Sequence, residues 1–195
     1  MKVFSFLLVF LMGLNASLAT TVIKLSVDQL ATESDLIVRG FVTAKESGWN
    51  KVRTRIYTHT TLDISQLIKS KLPQQAKVVI RQIGGEVDGL VQHVSGNAEF
   101  SEGEEVIVFL EKHPTEDVMV VMGMAQGKFS VDRSQSPPRV RQKNTHLRKI
   151  ERRTQPQILN LRPRTIASAS TPTLSEFLNQ IDRAVGARSN EGGGQ

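Results

Sequence analysis

The sequence predicts an all-β protein, either a small barrel or a sandwich of seven to eight strands, followed by a C-terminal amphipathic helix. Residues 36–45 and 56–64 alternate apolar and polar side chains, which indicates strands with one buried face. Turn-forming residues separate short apolar segments over about 110 residues, a spacing typical of sandwiches and small barrels. The sequence does not show the alternation of strands and helices that indicates a parallel sheet.

The first nineteen residues have the pattern of a secretory signal peptide. Lys2 precedes an apolar run over 3–12, and Ala19 ends a Ser-Leu-Ala cleavage pattern before Thr20. The run is shorter than the ~20 residues that span a bilayer, so we expect cleavage between Ala19 and Thr20. The pattern predicts a protein exported to the periplasm or the extracellular space. The chain has no cysteine, which excludes disulfides, thiol chemistry and Cys-ligated zinc.

A short helix and a long hairpin open the barrel domain, which we place at residues 20–132. Ser26-Val27-Asp28-Gln29 matches a capping box, which predicts a helix to about Glu33. Alternation from Asp35 predicts the first strand, with a turn at 47–50 that contains Trp49. The second strand follows at 56–64, after a loop rich in basic residues.

The remaining strands are predicted after a connector at 67–73. Gly84 and Gly85 end or bulge the strand that begins at Lys77, because glycine bends a strand without steric cost. Residues 106–110 are all apolar, which predicts a central strand buried on both faces. The other strands are expected at 90–94, 118–125 and 127–131.

The C-terminal third differs in charge from the barrel domain. Residues 20–132 carry a net charge of −3 and residues 133–195 one of +8. We interpret 133–172 as a basic linker, partly disordered. A second capping box begins at Thr173 and predicts an amphipathic helix over 173–186, with Gly186 as its stop. Residues 187–195 are expected to be a disordered tail.

Four stretches together resemble an uncharacterised family of exported bacterial proteins: SDLIVRGFVTAKESGW, RIYTHTTLDISQLIKSKLP, VVIRQIGGEVDGL and FSEGEEVIVFLE. The resemblance covers residues 20–131 and implies no particular activity. The strand order is also similar to the netrin and tissue-inhibitor type of OB-like barrel. Tissue inhibitors of metalloproteinases block their enzyme with an N-terminal Cys that chelates zinc, whereas this mature chain is expected to begin at Thr20. The resemblance therefore implies the barrel without that inhibitory mechanism.

The stretch GGEVDGLVQHVSG, residues 84–96, favours architecture over chemistry. A metal site at Glu86, Asp88 and His93 is an alternative, but their spacing matches no standard zinc or calcium pattern. No Gly-x-Ser-x-Gly or His-Glu-x-x-His motif occurs, so we predict no catalytic residue, metal or cofactor. The candidate recognition loops contain Trp49, Gly84, Gly85, Glu86, Asp88 and His93.

The basic segment predicts contact with polyanions, since arginine runs bind phosphates and similar groups. Residues 130–176 contain no aromatic side chain, so no sequence-specific or single-strand nucleic-acid binding is expected. A solvated tail is the alternative interpretation. The candidate polyanion-binding residues are Arg139, Arg141, Arg148, Lys149, Arg152 and Arg153.

These observations predict an exported, non-enzymatic binding module. Its barrel loops would recognise another exported protein, and its Arg-rich segment would contact an anionic envelope component. The first alternative is a protease inhibitor or modulator of the tissue-inhibitor-like type, acting through the mature N-terminus and adjacent loops. The second is a metal-dependent enzyme with its site at Glu86, Asp88 and His93.

Overall fold

The computed structural model describes residues 24–73, 75–142 and 171–191, with side chains up to residue 187 in the last range. Predicted features at residues 1–23, including the cleavage site at Ala19 and Thr20, lie outside these ranges. The helices are α1 (Val27–Glu33), the 3₁₀ helix η1 (Met124–Gly127) and α2 (Leu174–Glu191). The strands are β1 (Leu36–Trp49), β2 (Ile56–Ser70), β3 (Lys77–Ile83), β4 (Gly85–Val87), β5 (Leu90–Gln92), β6 (Glu105–Lys112), β7 (Met119–Val121), β8 (Lys128–Asp132) and β9 (Arg139–Arg141).

Five of the strands close into a barrel, which confirms the predicted fold class. Their order is β1-β2-β3-β7-β6, and β6 pairs with β1 to complete the ring. All pairings within it are antiparallel except β3 with β7, which join through the single pair Ile80 and Met119. This is the strand order of an OB-type barrel. Strands β8 and β9 extend the sheet outward from β6, and β4 and β5 form a separate hairpin.

The barrel interior is filled by alternate residues of the predicted strands. Leu36, Val38 and Val42 point inward from β1, as the period of two predicted. Most of the interior side chains are aliphatic and close-packed, as a core without disulfides requires. The other members of this inner core are Leu62, Val78, Ile80, Ala98, Phe100, Val106, Val108, Leu110, Met119 and Val121.

A second core lies between the outer barrel wall and the two helices. Strand β6 supplies Ile107 and Phe109 to it, which explains why this strand is apolar at successive positions. Helix α2 inserts Phe177 and Ile181, both essentially buried. The Phe177 ring lies 4.6 Å from that of Phe129, measured between centroids. Both predicted capping boxes are present, at Ser26 of α1 and at Thr173 of α2.

The first hairpin is longer than predicted at both ends. The predicted turn at 47–50 is wrong: β1 continues to Trp49, which pairs with Ile56, and the turn follows it. The connector at 67–73 is also wrong in part, because β2 continues to Ser70. Three register shifts interrupt the pairing of β1 with β2. Gly40 permits the close approach there, since a Cβ on it would lie 2.2 Å from the Asp63 carbonyl oxygen.

The later elements differ from prediction in three places. Strand β7 ends at Val121 rather than near 125, because Gly123 and Met124 adopt positive φ and start η1. Strand β9 lies within the segment interpreted as linker and pairs with β8. Helix α2 passes through Gly186, which has open space around its Cα and does not end the helix. In the described part of the chain, every helix falls short of the length and apolarity needed to cross a bilayer.

Candidate recognition surface

Two adjacent loops form one end of the barrel: the β1–β2 turn, residues 50–55, and the β4–β5 hairpin, residues 85–92. Together they are referred to as the barrel tip. The turn is ordered by Asn50, whose Oδ1 accepts hydrogen bonds from the backbone N–H groups of Thr54 and Arg55 at 2.7 and 3.1 Å. A single side chain thus satisfies two backbone donors and fixes the shape of the turn.

The hairpin of the barrel tip has a two-residue turn. Asp88 and Gly89 have φ values of 53° and 74°, the pattern of a type I′ turn, whose twist matches that of the flanking strands. The Gln92 side-chain oxygen accepts from the Ile56 N–H at 2.9 Å, and the Gly84 N–H donates to the Ile56 carbonyl at 2.8 Å. These bonds attach the hairpin to the start of β2.

Gly84 and Gly85 allow the chain to bend from β3 into the hairpin, as the sequence predicted for this pair. A Cβ on Gly85 would lie 2.4 Å from Thr58 Oγ1 and 2.5 Å from Ser47 Oγ. The two hydroxyls bond to each other at 2.9 Å, and the Thr58 hydroxyl donates to the Gly84 carbonyl at 2.7 Å. The glycine pair is therefore part of the architecture that orients the barrel tip.

The exposed apolar side chains are concentrated on the barrel tip. Val52, Val91 and Leu90 are 72, 70 and 58% exposed, more than any other large apolar residue in the described ranges. Exposed apolar side chains that cluster on one surface mark interaction sites, whereas scattered ones do not. The exposure of these three side chains was not predicted from the sequence. Val52 stands among basic residues, and no pattern shows that adjacent Leu90 and Val91 are both outside the core.

Charges of both signs surround these apolar side chains. Lys51, Arg53 and Arg55 are exposed on the turn, and Glu86 and Asp88 are exposed on the hairpin. Arg53 and Asp88 approach to 3.7 Å with more than 70% of each side chain exposed. Such an exposed pair contributes little to stability, so these charges are available for recognition.

Trp49 belongs to β1 and not to the turn in which the sequence placed it. It is the last residue of β1 and is partly buried, with the Arg53 guanidinium 5.8 Å from its ring centre. Its indole Nε1 is buried without a hydrogen-bond partner in the described structure. The partly buried Trp49 ring therefore packs against the turn and does not present an exposed aromatic face.

A cleft of about 330 Å³ separates the hairpin from the barrel wall. Its lining includes Lys45, Ser47, Gln82, His93 and Asn97. His93 is exposed at the end of β5, on the cleft side of the barrel tip. Among the residues described, no cluster of three His, Asp or Glu side chains is arranged to hold a metal ion, and Glu86, Asp88 and His93 do not form one.

The candidate polyanion-binding residues divide between described and undescribed parts of the chain. Arg139 and Arg141 lie on β9. Arg139 Nη1 donates to the Thr171 carbonyl, and Arg141 pairs with Asp132 at 3.0 Å. Arg148, Lys149, Arg152 and Arg153 lie outside the described residues. The segment that contains them connects Gln142 to Thr171.

Away from the barrel tip, two carboxylates at the start of β6 are held by ion pairs: Glu105 is buried, and Glu104, just before the strand, is partly buried. Glu105 is bound by Arg39 and Arg133, and Glu104 by Lys128 and the Ser130 hydroxyl. Burial alone raises the pKa of each glutamate, but these hydrogen bonds and charges outweigh burial, so the pKa of each carboxyl is lowered. Glu102 of the same turn is exposed. These ion pairs connect the start of β6 to β1 through Arg39 and to β8 through Lys128.

No protein-family model matches the chain, and no curated protein is significantly similar to it in sequence. The resemblance to exported bacterial proteins remains an expectation from the quoted stretches. The function is therefore inferred from the fold and from the barrel tip.

Proposed function

We propose that this protein is an exported, non-enzymatic binding module whose barrel tip recognises another protein. The observation that carries the proposal is the convergence of Val52, Leu90 and Val91 on one end of the barrel. Asn50 and the Gly84-Gly85 bend hold both loops in place. A recognition surface that is ordered before binding loses less conformational entropy on association.

The test is retention of exported proteins on immobilised full-length mature protein. The test variant replaces Val52, Leu90 and Val91 by Ser. The matched control carries Ser at Phe41, Leu67 and Val79, which are three exposed apolar residues of the barrel wall. We expect wild type and control to retain the same protein at high salt and the barrel-tip variant to lose it. Equal retention by all three would refute recognition through the barrel tip.

We further propose that the Arg-rich segment contacts anionic surfaces. Its test must keep the rest of the molecule intact, because truncation after Asp132 would remove β9 and α2 and uncover Phe109 and Phe129. The Val140 N–H bonds to the Pro172 carbonyl at 2.9 Å, so the two ends of the segment are neighbours. A short Gly/Ser linker can therefore replace residues 143–170. We expect this variant to fold and to elute from heparin at much lower salt than wild type; unchanged elution would refute the proposal.

One contact keeps the protease-inhibitor alternative open as a second candidate. The Leu25 N–H donates to Gln126 Oε1 at 2.8 Å, and the Ala125 N–H donates to the Gly96 carbonyl at 2.9 Å. The first described residues therefore lie beside the loop that follows β5. This candidate predicts that extra residues before Thr20 abolish inhibition of a co-exported protease. Absence of inhibition by the authentic mature protein would end it.

A further inference from the structure

In the described part of the chain, strand β5 has one unpaired edge. The β4–β5 hairpin forms a two-stranded sheet of its own, and among the described strands β5 pairs with β4 alone. Asp88 and Gly89 form a two-residue turn, so Val87 and Leu90 are the hydrogen-bonded pair next to it. By the alternation of antiparallel strands, the N–H and C=O of Val91 point away from β4. In the described structure, no further backbone bond engages them.

Apart from its short length of three residues, this edge lacks the features that usually prevent strands from pairing between molecules. Natural edge strands carry Lys, Pro, bulges or inward-pointing charges. Here the three residues of β5 are Leu90, Val91 and Gln92, and the first two are among the most exposed apolar residues described. An isolated two-stranded sheet is also only marginally stable in water, whereas a sheet of three or more strands with a hydrophobic face is stable on its own.

The charge pattern indicates which partner this edge fits. The turn 50–55 carries Lys51, Arg53 and Arg55, and the hairpin carries Glu86 and Asp88. An anionic membrane would attract the turn but repel the hairpin. A second copy of the chain offers both signs, so a two-fold axis can bring the basic turn of one copy near the acidic hairpin of the other. Two-fold pairing is the commonest closed symmetry of protein assemblies.

We propose that the partner of the barrel tip is a second copy of this chain. The two β5 strands pair antiparallel about a two-fold axis at Val91, which gives a four-stranded sheet in the order β4, β5, and the second copy's β5 and β4. The inference rests on the proposed function and names its partner. Three apolar residues per copy are far fewer than the 20–30 residues per side of a standard interface, so the dimer is weak and concentration-dependent.

Sedimentation velocity of the mature protein over a wide concentration range tests this proposal. We expect a reversible monomer–dimer equilibrium for wild type. Val91→Asp should raise the dimer dissociation constant about tenfold or more, as loss of a central interface residue does. Val91→Pro, which removes the outward N–H, should do the same. Val79→Asp, on the exposed wall of β3, is the matched control and should leave the equilibrium unchanged. Circular dichroism and thermal melting establish that each variant is folded.

A wild-type protein that stays monomeric throughout would overturn the dimer. So would a dimer that Val79→Asp weakens as much as Val91→Asp. A monomer that still retains a different exported protein through Val52, Leu90 and Val91 would overturn the dimer and leave the proposed function standing. A monomer that sediments with phosphatidylglycerol vesicles through Val91 would overturn both in favour of a membrane. The barrel-tip variants could also retain the same exported proteins as wild type while the dimer depends on Val91. That result would support the dimer and refute recognition of other exported proteins through the barrel tip.

Discussion

Glu105 is a carboxylate whose side chain is 4% exposed, and two guanidinium groups hold it. The Arg39 Nε donates to it at 2.7 Å and the Arg133 Nε at 2.5 Å. We expect Glu105→Gln to lower the free energy of unfolding by about 3 kcal/mol, the lower end for breaking a buried ion pair, because Arg133 is half exposed. Urea unfolding at neutral pH measures this. Glu102→Gln, at an exposed position of the same turn, should change it little.

The same residue predicts the acid response of the fold. The folded-state pKa of Glu105 lies below its ordinary value because Arg133 and Arg39 outweigh the effect of burial. Its stabilisation is therefore complete above the unfolded-state pKa of about 4.3 and is lost as the pH falls through the folded-state pKa. We expect wild type to lose stability below about pH 4 and Glu105→Gln to lose less. Parallel curves for the two proteins would contradict this assignment.

Glu111 is the opposite case on the same strand. Burial, together with the neighbouring Asp35 and Glu33 carboxylates, raises its pKa. A carboxyl with a raised folded-state pKa destabilises the fold above that pKa and has no effect once it is protonated in both states. We therefore expect Glu111→Gln to raise the melting temperature at pH 7 and to melt like wild type in acid. A lower melting temperature at pH 7 would show that the charge is needed.

At the scale of elements, the bend into the β4–β5 hairpin depends on Gly85. Its φ of 137° is unfavourable for a side chain, and the hydroxyls of Ser47 and Thr58 fill the space a Cβ would take. We expect Gly85→Ala to destabilise the protein by about 1–3 kcal/mol. Gly48→Ala is the control, because nothing lies within 4 Å of its Cβ position. Equal melting temperatures for both variants would contradict the steric argument.

The elements that the sequence predicted well are those whose residues alternate without interruption. Strand β3 has the predicted bounds, and Ile56, Thr58 and Leu62 of β2 face inward as expected. Prediction failed where pairing with another strand decides. Ser70 is a strand residue because it pairs with Leu36, and Arg139 because it pairs with Asp132. Leu36 is far from Ser70 in sequence, so no local pattern reveals that pairing. Asp132 and Arg139 are joined by a short loop, but the basic composition around β9 does not resemble a strand.

At the scale of the whole molecule, α2 is held to the barrel by contacts that do not need residues 143–170. Thr173 bridges to Arg139, and Phe177 and Ile181 lie in the second core. We expect that one cleavage at a protease site inserted within 143–170 leaves both fragments together. Gel filtration should show a single peak with two chains on a denaturing gel. Separation of the fragments under native conditions would show that the connection is essential.

The sequence by itself determined the all-β class, most strand positions, both capped helices and the glycine bend, because each depends on local periodicity or backbone geometry. It also determined the charge division between the barrel and the segment after it. Only the tertiary structure decided that β6 closes the ring with β1, that Glu105 is buried and Glu104 partly so, and that Trp49 is not at a loop tip. It alone placed Val52 on the same end of the barrel as Leu90 and Val91. Those outcomes depend on which distant strands become neighbours, and that is fixed by packing rather than by any single stretch of residues.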